Sequence, residues 1–170
     1  CGGHIHLGHP ILCSDGHEPW LAVYLLDLFL AVPSLWLDED PTAGPRRGLY
    51  GQAGRYRTKD YGIEYRSLGN FWLRSPRSVA WVYDVCAFVI EFIEDGRADE
   101  LWSFDPEVYV EAEIKSDAWT CHRYDPQKLR DGVDSGNRQL VADHFELAKS
   151  LLSEKLTSEL ESLIGDTSDF

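Results

Sequence analysis

Methionine is absent from the 170 residues, which open at Cys1 instead. A chain without an initiator is not a complete, unprocessed translation product. Cys1 has three accounts: a processed lipoprotein, an N-terminal nucleophile hydrolase, or a piece cut from a longer chain. A strand-like stretch begins at Gly2 with no polar tether, which favours the third. Cysteine is scarce, and Cys1, Cys13, Cys86 and Cys121 form no CxxC pair. That argues against a zinc ribbon or a dense disulfide framework and suits reduced thiols in a cytoplasmic protein. Long apolar runs are missing as well: none reaches the roughly 18 residues of a membrane span, since Asp27 and Asp84 interrupt the longest. No membrane partner is expected.

Basic residues are few, 16 Lys+Arg against 29 Asp+Glu, for a formal charge of -13. The deficit is local. Residues 1–80 hold eight of each sign, so the last ninety carry the whole acidic excess. All eight bases of the first part fall between Arg46 and Arg77 (Arg46, Arg47, Arg55, Arg57, Lys59, Arg66, Arg74 and Arg77), against only Asp60 and Glu64, an island of net +6. Overall acidity argues against a nucleic-acid partner, whereas an arginine cluster suits a small phosphate-bearing ligand. What is present supports a core: 44% of residues are hydrophobic and six are Trp, enough for one folded domain.

Alternation in Gly3-His4-Ile5-His6-Leu7-Gly8 predicts a short strand with both histidines on one face. A Leu-rich helix is expected from about Glu18 to Ala31, ended by Pro33, and then an exposed loop from Leu37 to Gly48. Residues Gly54 to Leu73 read as two short strands joined by a Lys59-Asp60-Tyr61-Gly62 turn. A buried helix is predicted over Pro76 to Glu94, another from Asp105, and a last one from about Arg138 to Leu163. The expected fold is α+β, a curved antiparallel sheet with packed helices.

Three groupings carry chemistry. In His4-x-His6 two imidazoles point the same way and can converge on a metal or a phosphate, although solvated histidines give the same pattern. In Arg46–Arg57 the bases are all Arg, whose planar fork binds phosphate bidentately. Gly48, Gly51 and Gly54 recur there at intervals of three and would let a polyphosphate approach the backbone. In Gly62-Ile63-Glu64-Tyr65-Arg66, Glu64 and Arg66 share a face. Glu64 offers oxygen to a hard cation and Arg66 a counter-charge to phosphate.

The segments GGHIHLG (Gly2 to Gly8), RRGLYGQAGRYR (Arg46 to Arg57) and YGIEYRSLGNFW (Tyr61 to Trp72), in this order, resemble the phage-type COOH-NH2 ligases, the amidoligase type 2 group, related to glutamine synthetase and glutamate-cysteine ligase. The resemblance implies an ATP-dependent carboxylate-amine ligase that works through an acyl phosphate with Mg²⁺. Its substrate would be a small molecule or peptide bearing a carboxylate and an amine. It implies His4 and Glu64 as metal ligands, His6 at nucleotide phosphate or a second metal, Arg55 and Arg57 on the ATP phosphates, and Arg66 facing phosphate or substrate. Arg46 and Arg47 share the phosphate task or meet the substrate carboxylate. The resemblance implies further acids, including an ExE strand, from before the HxH segment, whereas this sequence opens at Cys1. Residues 1–170 are therefore expected to be the C-terminal portion of one glutamine synthetase-like catalytic domain, with active-site strands and the Arg-rich loop in 1–75 and acidic helices in 76–170.

Two rivals stand beside this reading. One is a zinc hydrolase using His4, His6 and His9 with Asp15 or Asp27, for which His122 and His144 lie too isolated to complete a site. The other is a non-catalytic nucleotide- or anion-binding module.

Overall fold

The computed structural model describes residues 2–13, 16–104 and 119–167; the helix expected from Asp105 lies outside them. Strands β1 (Ile5–Gly8), β2 (Tyr56–Lys59) and β3 (Gly62–Tyr65) form an antiparallel sheet in the order β1-β3-β2. The expected hairpin is present, with Asp60 and Tyr61 at its tip. Gly62 closes that tip at φ 144°, and a Cβ there would lie 2.1 Å from the Leu7 carbonyl oxygen. Only glycine lets β3 leave the turn this close to β1. Strand alternation then sorts the side chains. Ile5, Ile63 and Tyr65 enter the core, while the even-numbered residues of β1 and β3 face the other way.

Behind the sheet runs Glu18–Leu37, which is continuous helix rather than one ended by Pro33. It comprises α1 (Glu18–Leu26), a π turn (Asp27–Ala31) and α2 (Val32–Leu37). The Val32 N–H reaches the Asp27 carbonyl, and this wider turn delivers Pro33 to the first turn of α2, where its missing N–H costs nothing. Asp27 does not interrupt the run either. By length and composition these 20 residues are apolar enough to cross a membrane, contrary to the sequence expectation. Most of them are buried inside the protein, packed between the sheet and the helices described next.

Helix α4 spans Pro76–Glu94 as expected. Ser75 Oγ accepts the Ser78 N–H at its start, and Trp81, Val85, Val89 and Phe92 face inward. The segment expected as an exposed loop contains α3 (Ala43–Leu49). Pro45 falls in its first turn, where amide groups lack helical partners, so Gly and Pro there do not preclude a helix. The single C-terminal helix expected is two, α6 (Ala142–Leu151) and α7 (Glu154–Thr167). Leu152 turns extended (φ -62°, ψ 153°) and Ser153 Oγ accepts the Leu156 N–H. A further helix, α5 (Pro126–Ser135), is capped by Asp125, which accepts from Gln127 and Lys128 N–H, and ends at Gly136 (φ 70°). Trp102–Phe104 (β4) pairs with Trp119–Cys121 (β5) as a separate ribbon. One apolar cluster joins the sheet (Ile63, Tyr65), the π turn (Phe29), α4 (Phe92) and the acidic C-terminal helices (Phe145, Leu160).

Candidate active site

Register lines up the sequence groupings on the solvent face of the sheet. His6 and Arg57 both pair with Glu64, so one rung reads His6–Glu64–Arg57. The Arg66 N–H donates to the Arg55 carbonyl (2.8 Å), which extends the ladder to a second rung of His4, Arg66 and Arg55. The first segment, distant in sequence from the other two, thus meets them on one surface because each contributes a strand.

Glu64 is its centre, with a side chain only 7% exposed. Oε1 lies 3.0 Å from His4 Nδ1 and 3.3 Å from Arg66 Nε, and Oε2 lies 3.1 Å from Lys59 Nζ. The hydrogen bond from Lys59, with the charges of Lys59, Arg57 and Arg66, holds this carboxyl below the usual range. His4 moves down as well, because burial disfavours its charged form and Arg66 repels it. The His4–Glu64 contact at neutral pH is therefore a hydrogen bond from a neutral imidazole to a carboxylate. His6 Nδ1 meets the Tyr61 hydroxyl at 2.5 Å.

The arginines divide. Arg57 is exposed, and its guanidinium makes no hydrogen bond or ion pair among the described residues. Buried Arg66 Nε has no hydrogen-bond partner there either. Arg55 forks onto Gln52 Oε1 through Nε (2.9 Å) and Nη2 (2.5 Å). Arg46 is spent on the backbone, donating to the Ser67 and Arg66 carbonyls at 2.9 and 3.0 Å, which ties α3 to the end of β3 beside His4. Arg47 is buried, 3.9 Å from buried Asp38, and is directed away from the rungs toward Gly136. The recurring glycines serve the chain itself. Gly51 makes room for the Arg46 guanidinium and Gly54 turns at φ 75° into β2, while Gly48 lies in α3.

Lys59 was missed by sequence reasoning, although its place two residues beyond Arg57 on a strand was the available signal. Among the described residues no group of three or more His, Cys, Asp or Glu side chains is placed to hold a metal. The zinc set does not assemble: His9 pairs with Glu94 at 3.6 Å, and Asp27 lies behind the sheet, bonded by the Tyr65 hydroxyl at 2.7 Å. His144 is buried against the Asp125 carbonyl, and Asp15 lies outside the described residues. A groove of about 530 Å³ opens between β1 and α4, lined by Leu7, His9, Val82 and Tyr83, and none of the side chains around Glu64 lines it.

This surface presents Arg57, Lys59 and Arg66 around the Glu64 carboxylate, with Arg55 on the next rung and the Arg57 guanidinium unengaged among the described residues. Guanidinium and ammonium groups gathered in this way can meet an anion of several charges. A family model described as phage phiEco32-like COOH.NH2 ligase-type 2 matches residues 1–109. No curated protein and no solved structure matches the chain.

Proposed function

Since the chain belongs to the phage phiEco32-like COOH.NH2 ligase-type 2 family, we propose that it joins a carboxylate to an amine at the expense of ATP, whose triphosphate lies on the His4–Glu64–Arg57 face. The observation that carries this reading is the exposed Arg57 guanidinium beside the buried Glu64 carboxylate, which already gathers Lys59 and Arg66. Transfer of a phosphoryl group asks a protein for positioning and charge neutralisation more than for covalent help. Arg55 and Arg57 hold the phosphates, His6 donates to one of them, and Arg66 stabilises the group in flight. A substrate carboxylate oxygen takes the γ-phosphoryl group as the bond to ADP breaks. The amine nitrogen, losing one proton, then attacks the acyl carbon and inorganic phosphate leaves.

Mg²⁺ would be held by Glu64, with neutral His4 beside it, and by the nucleotide's own oxygens, in keeping with the few protein ligands that ion needs. Bound there, it neutralises phosphate charge. Among the described residues Glu64 is the one carboxylate on this face, and it is already engaged by Lys59. This favours a second reading, an anion-binding module without turnover. Family membership also supports placing the sheet in a glutamine synthetase-like catalytic fold.

Titration calorimetry with Mg-ATP and with tripolyphosphate tests the site. Both are expected to bind, and Arg57→Ala is expected to weaken each by about 30-fold, the value of a charge-assisted pair. Absence of binding, with stoichiometric zinc uptake instead, overturns the proposal. Phosphate release that depends on added carboxylate and amine separates the ligase from the binding module.

A further inference from the structure

The anion-facing strand β2 is preceded by a loop whose backbone is held from the core side at three successive residues. The Ala53 N–H donates to Asp134 Oδ1 of α5 at 2.7 Å. The Gly54 N–H donates to the Asp27 carboxylate of the π turn. The Gln52 carbonyl accepts from Ser67 Oγ at 2.8 Å. Arg55 follows at once, its fork closed back onto Gln52 Oε1. Two consecutive amides aimed at carboxylates form the concavity that a bound anion often fills, and here the protein's own acids fill it. Arg130, one helical turn before Asp134, sits between the two acids: a Cβ at Gly54 would lie 3.8 Å from Arg130 Nη2 and 4.0 Å from Asp27 Oδ2.

We propose that Asp134, with Asp27, is a positioning residue that fixes the backbone delivering Arg55 and Arg57, so that helix α5 sets how tightly the sheet face holds its anion. Asp134 lies beyond the matched residues 1–109, so a function of the catalytic face is assigned to the acidic C-terminal part. The clamp works through pre-organisation. With both amides satisfied, Gln52 to Gly54 stays in one conformation, and ligand binding does not bear the cost of ordering it. The anion-affinity half of this inference rests on the reading of Arg55 and Arg57 as phosphate-binding.

The test pairs a ligand-independent measurement with a ligand-dependent one on the full chain. Amide hydrogen exchange at Ala53 and Gly54 is expected to quicken in Asp134→Ala. Affinity for tripolyphosphate is expected to fall about tenfold, as for a lost buried hydrogen bond, while the far-UV circular dichroism holds. Asp134→Asn, which keeps an acceptor oxygen at the same place, is expected to restore both. Asp134→Glu, longer by one methylene, supplies the comparison if the alanine variant does not fold. Unchanged exchange at Ala53 overturns the clamp. Wild-type affinity in Asp134→Ala, alongside a loss in Arg57→Ala, overturns its role in binding and leaves the phosphate reading intact. If the wild type binds neither ATP nor tripolyphosphate, the phosphate reading and the affinity role fall together, and exchange alone decides the clamp.

Discussion

Glu64 and Asp27 lie on opposite sides of one three-stranded sheet, each nearly inaccessible to solvent, and their carboxyls are driven in opposite directions. Around Glu64 the partners are cations: Lys59, Arg66 and Arg57 hold it ionised. Around Asp27 they are mainly neutral. The Tyr65 hydroxyl and the Gly54 amide donate to it, with Arg130 and the like charge of Asp134 farther off, and burial lifts its pKa to about 7. Burial alone therefore does not decide the charge of a carboxyl; the chemistry of the donors does. One face gathers cations around its carboxylate, whereas the other uses its carboxylate to hold backbone in place.

The largest effect expected from breaking this contrast is at Glu64. In Glu64→Gln the cations lose their common anion, and phosphate release under saturating ATP should fall about a thousandfold, the scale of a lost electrostatic group in an active site. A variant within threefold of wild type would remove Glu64 from the chemistry.

Asp27→Asn sharpens the comparison through pH. Below pH 4 the folded and unfolded states both hold the Asp27 proton, and its contribution is whole. As pH rises toward 7 the unfolded chain releases that proton first, so the contribution is lost across this window and levels off above the folded pKa. Urea unfolding at pH 4 and pH 7 should show the wild type losing on the order of 4 kcal/mol relative to the asparagine variant. Parallel curves would refute the raised pKa. Glu64 has the reverse sign, since its contribution is present at neutral pH and lost as acid protonates it. The smallest effect is at the rim: Tyr61→Phe removes the hydroxyl on His6 Nδ1 and should raise the KM for ATP only about threefold, as for one exposed hydrogen bond.

Much of the sheet and of the site was legible in sequence because strand periodicity is local. His4-x-His6 and Gly62-Ile63-Glu64-Tyr65-Arg66 announce their faces by alternation, and Ser75-Pro76 announces the start of α4. What was hidden depends on partners distant in the chain. The Arg46 and Arg47 pair reads as one cluster, yet a helix turns one guanidinium onto the Ser67 carbonyl and the other onto Asp38. The break at Leu152 left no trace in the leucine spacing, because α6 and α7 both keep inward-facing leucines. Asp27 reads as an interruption of an apolar run, and only Tyr65 and Gly54, folded against it, give that position a use.

The π turn at Asp27–Ala31 holds one residue more than the backbone needs to continue as regular helix. Deleting a single residue there would restore α-helical pairing with little rotation of the flanking helices, because the π turn absorbs the extra residue. Inserting a second would instead rotate everything before it by about 100° relative to α2. Tyr24, tilted against Trp20 at 4.4 Å and edge-on to Trp102 at 5.0 Å, would swing off the aromatic cluster, and Asp27 would leave Tyr65. The rear support of the site is thus a matter of residue count as well as residue type. A one-residue insertion at this turn would do more harm than most substitutions within it.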